Sequence, residues 1–270
     1  MIPAGFDYVV ARSLEHALDL LEMHGEGASL LAGGHSLVPL LKLRLARPKV
    51  LVDVSRLPLQ DVLADRVGAL VTHATVAGSR VVPAVLAACA SHIGDRQVRA
   101  RGTLGGALAH NDPAGDYPAA ILALEGEVRL LSRLGWREVP AAEFFRDAFT
   151  TALEPQEILT EVLFPWKPER GVYLKSALRG SGYALCGVCV AASPGKVRIG
   201  ITGVAGCAFR ARAVEDALAS GGTAAEASLL ACEGVEPVSD GQASADYRAH
   251  LARVMTRRAL EQCGFPAPGS

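Results

Sequence analysis

Charge of neither sign dominates this 270-residue chain, in which 27 Lys and Arg stand against 28 Asp and Glu for a formal net charge of −1. The basic residues are scattered and not gathered in a stripe interleaved with aromatics, so nucleic acid is not an expected partner. No apolar run approaches the length that a bilayer crossing requires. Met1-Ile2-Pro3-Ala4-Gly5-Phe6-Asp7 lacks both the basic and the apolar region of an export signal. The expectation is a cytoplasmic protein with no membrane-spanning segment. Motifs are missing as well. No G-x-G-x-x-G opens a helix in a βαβ unit and no G-x-x-x-x-G-K-[ST] occurs, which disfavours Rossmann and P-loop sites. Without H-E-x-x-H or G-x-S-x-G, zinc hydrolysis and acyl transfer lack support, and no catalytic side chain is assigned. Internal repeats and low-complexity tracts are likewise absent.

Cysteine is present but in no disulfide pattern. Cys89, Cys186, Cys189, Cys207, Cys232 and Cys263 lie in a long, half-apolar chain, where buried thiols are expected. The pair Cys186-Gly187-Val188-Cys189 has the spacing of a metal, cluster or dithiol site. It sits in a run that reads as a buried strand, however, and side chains three apart in a strand point to opposite faces. No metal site is therefore assigned, and the seven histidines, His35 and His110 included, are expected in solvated or structural roles.

The chain is long and apolar enough to bury two or three packed units. Ser13 is placed to cap a helix whose apolar face is Leu14, Ala17, Leu18 and Leu21, with Gly25 as its stop. A short buried strand over 28–32, a Gly33-Gly34 turn, a helix over 37–45 closed by Pro48 and a strand over 49–54 complete a small α/β unit. Between 67 and 131, short strands mix with helices near 82–90 and 117–124, interrupted by a glycine-bearing segment over 99–116. The polar, proline-bearing stretch 165–171 is the best boundary candidate. Beyond it come three strand-like runs, 172–178, 183–192 and 196–204, then helical stretches near 209–219 and 246–262, an α+β order.

Two segments carry the chemistry. In Ala32-Gly33-Gly34-His35-Ser36, between strand and helix, two glycines permit positive φ and close approach, and amides, hydroxyl and helix start together seat a phosphate. The plain alternative is a tight turn. Arg101-Gly102-Thr103-Leu104-Gly105-Gly106-Ala107 reads as too irregular for a helix and offers small residues, a hydroxyl and several amides. The polar loop His110-Asn111-Asp112-Pro113-Ala114-Gly115-Asp116-Tyr117-Pro118 follows, with carboxylates suited to ribose hydroxyls or ring nitrogens. Asp112 reads equally as a turn residue and Asp116 as the cap of the helix that Pro118 begins.

The combination of 32–37, 101–106 and 110–118 resembles the FAD-binding medium subunit of the molybdenum hydroxylases, such as aerobic carbon monoxide dehydrogenase and xanthine dehydrogenase. The likeness runs nearly end to end, through 49–55, Thr72-His73-Ala74-Thr75, 93–99 and Ile158-Leu159-Thr160. It implies an α+β chain: a two-subdomain FAD-binding domain of the PCMH or vanillyl-alcohol-oxidase type over 1–168 (about 1–56 and 57–168), then a C-terminal α+β domain over 169–270 with a three-stranded sheet and helices. It implies FAD held by Ala32, Gly33, Gly34, His35 and Ser36 and by Thr103, Leu104, Gly105, Gly106 and Ala107. Asp116 stands in the place of an FAD-contacting aspartate, Ile93 and Leu159 in those of apolar flavin contacts, and Lys175 in that of a basic residue near the ring. Two positions depart from the pattern: Arg179-Gly180-Ser181-Gly182-Tyr183, where relatives often carry an acidic residue, and Ala107, where Ser or Asn is frequent. The insertion that brings an extra cluster in the benzoyl-CoA reductase branch is absent.

The resemblance implies a redox role shared with other chains. A large molybdopterin-binding subunit oxidises substrate, a small subunit with two [2Fe–2S] clusters relays electrons, and FAD here passes them to an external acceptor, as a dimer of heterotrimers. An independent flavin oxidoreductase and a flavin-free interaction subunit are the alternatives.

Overall fold

The computed structural model describes residues 2–265. The first unit is a parallel three-stranded sheet of β1 (Asp7–Val10), β2 (Ala28–Leu31) and β3 (Val50–Asp53), with β3 in the centre. Between β1 and β2 runs α1 (Leu14–His24), capped as expected: the Ser13 hydroxyl accepts from the His16 amide and Gly25 closes it at φ 50. Ala17, Leu18 and Leu21 pack its apolar stripe on Val50, Val52 and Val54. After β2 comes α2 (Leu37–Lys42), which stops short of the expected 45 because Arg44 turns left-handed at φ 58.

The second unit is an antiparallel sheet in the order β4 (Arg66–Gly68), β9 (Ile158–Leu163), β5 (Glu127–Ser132), β6 (Gly135–Pro140). Val128 and Leu130 of β5 and Val162 of β9 alternate into a core shared with the helices preceding β5. These helices are α3 (His73–Gly78), α4 (Ala84–Ser91), α5 (Arg96–Arg101), α6 (Leu104–His110) and α7 (Tyr117–Ala123). The one-turn α8 (Ala141–Phe144) and the small hairpin of β7 (Phe145–Asp147) and β8 (Thr150–Thr151) follow β6. Every residue of α7 is buried, since it lies between this core and the next sheet.

That sheet holds β10 (Arg170–Ala177), β11 (Ala184–Ser193), β12 (Lys196–Thr202) and β13 (Phe209–Arg210), all antiparallel. It has four strands where three were expected: Phe209 and Arg210 pair with Ile201 and Gly200 before α9 (Arg212–Ala219) starts, two strand residues hidden at the head of a helical pattern. The chain then forms α10 (Ala224–Ser228) and the long α11 (Ala245–Gln262). One face of β11 packs on α7, the other on α11, so nearly all of it is buried. Cys186 faces the α11 core and Cys189 the α7 core, as period-two alternation requires, and burial pushes the Cys186 thiol up to about 12. At the α7 junction Gly200 has no room for a side chain, since a Cβ there would lie 2.0 Å from the Ala119 carbonyl oxygen. Glu125, just past α7, accepts from Lys196 and Arg198 at 2.5 Å each and ties the helix end to β12. Among the described residues no helix is long and apolar enough to cross a membrane. The last residues of the expected C-terminal domain, 266–270, lie outside the described residues.

Candidate functional site

A two-lobed cleft separates the parallel sheet from the helical side of the second unit. The first lobe, about 310 Å³, is walled by apolar side chains including Leu30, Leu40, Leu59, Leu70 and Leu159, and among the described residues no Asp or Glu lines it. The second, about 180 Å³, runs past Ile93, Asp116 and Tyr117 to Ser181, Gly182 and Tyr183 of the turn between β10 and β11. Five residues line both lobes and so form the neck: His35, Ser36, His73, Ala107 and His110.

The first glycine segment enters the cleft from the end of β2. Gly34 takes φ 76, as a left-handed turn requires, but Gly33 does not need glycine for its dihedral. It needs it for space, because a Cβ on Gly33 would sit 2.2 Å from the Arg101 carbonyl oxygen. The two glycine segments thus touch each other, and this contact sets the shape of the cleft. Among the described residues, the amides of 33–36 donate no hydrogen bond to the protein, and the Ser36 hydroxyl makes no capping bond to α2. Unpaired amides beside an open lobe are donors for a ligand.

The second glycine segment corrects its sequence reading. Leu104–His110 is a helix, not an irregular span: the Thr103 side chain accepts from the Gly106 amide as N-cap. The amides of Leu104 and Gly105 donate to the carbonyls of Val71 and Ala69, each at 2.9 Å, and that of Ala107 to Thr103. These donors are therefore engaged within the fold. Gly105 backs onto Ala69, 2.5 Å from where a Cβ would stand, which holds α6 close and leaves the bare surface of Gly106 and Ala107 facing the cleft. Leu104 is fully buried in the core and does not line the cleft.

Asp116, which the resemblance puts in the place of an FAD-contacting aspartate and which reads alternatively as a helix cap, makes no capping bond with its side chain. It is 6% exposed and accepts instead from the Tyr173 hydroxyl at 2.5 Å and from Lys175 Nζ at 2.8 Å. Lys175 Nζ also donates to the His92 carbonyl at 3.1 Å, its side chain being 3% exposed. Burial pushes the Asp116 carboxyl upward, against the pull of Lys175 and the hydrogen bonds. The cluster joins the start of α7 to β10, and Asp116 lines the second lobe while Lys175 stands behind it. Ile93 and Leu159 fall in different lobes. Asp112 is the turn residue its alternative reading described, accepting from the Ala114 amide at 2.9 Å.

Sequence reasoning did not single out His73 as a site residue. At the head of α3, it donates its amide to the Gly102 carbonyl and packs its ring edge-on against Tyr117, centroids 5.2 Å apart. It is 5% exposed, and burial pushes its pKa down to about 4. Its Nδ1 and the Tyr117 hydroxyl are buried polar atoms without a partner among the described residues. The only signal in the sequence was Gly102: with φ −59 it needs no glycine conformationally, but a Cβ would meet His73 Nε2 at 2.5 Å.

Comparison with known proteins matches residues 4–167 to the FAD binding domain in molybdopterin dehydrogenase and 172–263 to the CO dehydrogenase flavoprotein C-terminal domain. The chain is 36% identical over 280 residues to the 6-hydroxypseudooxynicotine dehydrogenase complex subunit alpha of Paenarthrobacter nicotinovorans, covering 96% of this chain and 95% of that one. It is 36% identical over 285 residues to the carbon monoxide dehydrogenase medium chain of Hydrogenophaga pseudoflava, covering 96% and 97%. The solved carbon monoxide dehydrogenase from Hydrogenophaga pseudoflava lacking the Mo-pyranopterin moiety superposes with a TM-score of 0.90 at 37% identity, covering 97% of this chain and 98% of that one. With more than half its length matched by the family and its fold reproduced end to end, the chain belongs to the FAD-binding medium subunits of the molybdenum hydroxylases, an oxidoreductase flavoprotein.

Proposed function

We propose that FAD lies along the two-lobed cleft, with its diphosphate on the first glycine segment, and that this chain is the electron outlet of a larger cytoplasmic enzyme. The unpaired amides of 33–36 beside a lobe that no carboxylate lines carry this reading. The residues present fit the group: apolar walls suit its ring systems, bare glycine surface its phosphates, and unpartnered His73 Nδ1 and Tyr117 OH its polar atoms.

Ala32, Gly33, Gly34, His35 and Ser36 would supply donors to the diphosphate. Thr103, Gly105, Gly106 and Ala107 would form the opposing wall, with Leu104 anchoring that helix from the core. Ile93 and Leu159 would press on apolar parts in their two lobes, and Asp116, held by Lys175 and Tyr173, would fix the second. Bound FAD supplies a redox centre that exchanges electrons between the [2Fe–2S] clusters of a small partner subunit and an external acceptor. Substrate oxidation then belongs to a large molybdopterin-binding subunit, in a dimer of heterotrimers. The chain divides accordingly into an FAD-binding domain over 1–168, with subdomains of about 1–56 and 57–168, and a C-terminal domain over 169–270.

Purification of the tagged chain from its native source tests this role. The expected result is a stable complex containing molybdenum and iron; a chain that turns over a substrate alone, without either metal, contradicts it.

A further inference from the structure

Three of the seven histidines, His35, His73 and His110, meet at the neck between the two lobes. They come from three separate elements: the turn before α2, the head of α3 and the end of α6. Among the described residues no counter-charge acts on His73. Arg99 on α5 faces it, and its guanidinium donates to the carbonyls of Ile93 and Gly94 at 2.9 and 2.8 Å, which leaves its charge uncompensated. On the α7 side His73 meets the Tyr117 ring, with Cys89 behind it. Asp112 faces His110, whose ring also packs on Phe149, and Asp116 is held by Lys175 and Tyr173. His73 is buried, wedged against Gly102, with Nδ1 unpartnered, so its place is built and its hydrogen-bonding capacity is unused.

We infer that the histidines of the neck are a contact for the FAD diphosphate, and that His73 makes this contact proton-coupled: seating the dianion draws a proton from solvent onto the His73 imidazole. The inference rests on the diphosphate position given above. Before the dianion is seated, the His73 imidazole beside Arg99 and another histidine is held neutral, because burial and like charge both disfavour its cation. Two phosphate charges at the neck reverse that balance. The proton goes from buffer to ring nitrogen, and no other bond changes. FAD itself has no group that titrates between pH 6 and 8, so uptake in that window belongs to the protein.

Titration calorimetry on the full chain freed of flavin, at pH 7 in two buffers of different ionisation enthalpy, reads the proton directly. FAD is expected to bind with net proton uptake, and riboflavin, which lacks phosphate, without it. Between pH 8 and pH 6 FAD affinity is expected to rise severalfold, up to about tenfold per pH unit for a full proton. His73→Gln, polar but unable to titrate, is expected to bind FAD at pH 8 with a flattened slope below it, which a merely structural role would not produce. FAD binding without uptake in the wild-type chain, equal uptake with riboflavin, or an unchanged slope in His73→Gln each overturns the inference. The wild-type arm stands whether or not the variant folds. Failure to bind FAD at any pH would instead overturn the diphosphate reading itself.

Discussion

His73 gives the flavin-free chain a built-in sensitivity to acid. Its folded pKa of about 4 lies below the ordinary histidine value of 6.5, so as pH falls the unfolded chain takes up the proton first. Stability is therefore full above about pH 6.5 and is lost as pH approaches 4, by about 3 kcal/mol for this one group. Urea unfolding of the flavin-free chain at pH 7.5 and pH 5 should show the loss, and His73→Gln should reduce it; an equal loss in both contradicts the assignment. Asp116 acts through a different mechanism. Asp116→Asn leaves the Lys175 ammonium buried without its carboxylate, which costs roughly 3–5 kcal/mol. Adding Lys175→Met removes the stranded charge, so the double variant should recover much of the urea midpoint. If the two substitutions simply add, Asp116 and Lys175 are not a coupled pair.

At the scale of elements, close backbone approach decides the architecture. Gly200→Ala places a Cβ against the Ala119 carbonyl and must lift α7 from β12. A loss of about 3 kcal/mol, the upper part of the usual range for overpacking, is expected in chemical denaturation. A neutral result would mean that the junction is loosely packed. Elements with a clear period were legible: α1 with its Ser13 cap, the alternation that splits Cys186 from Cys189, and α11 all follow from apolar spacing. The helix α6 was not, because Leu-Gly-Gly-Ala has low helix propensity, and the tertiary bonds that its first amides donate to the carbonyls of Val71 and Ala69 supply what propensity lacks. The first glycine segment was found for one right reason and one incomplete one. Gly34 turns the chain, whereas Gly33 answers to Arg101, a neighbour 68 residues away that no local pattern reveals. Tyr173 and His73 were likewise invisible, since their partners at Asp116 and Gly102 become partners only once the third sheet and α3 are in place.

For the molecule as a whole, the cleft is the product of all three layers: the parallel sheet contributes the first glycine segment, the helices the second, and the β10–β11 turn the far wall. The two glycine segments touch where the cleft is shaped, so flavin retention should depend on the backbone approach at these glycines more than on any single polar group. The most direct measurement is the amount of FAD released on denaturation, per chain, from the wild-type protein and from Gly33→Val/Gly105→Val. About one FAD per wild-type chain, and almost none from the variant, is the predicted result, because a branched side chain at 33 forces the first segment off Arg101 and one at 105 forces α6 off Ala69, which reshapes both walls of the cleft. A folded variant with undiminished flavin, or a colourless wild-type chain that cannot be reconstituted with FAD, would contradict the placement of the cofactor between these two segments.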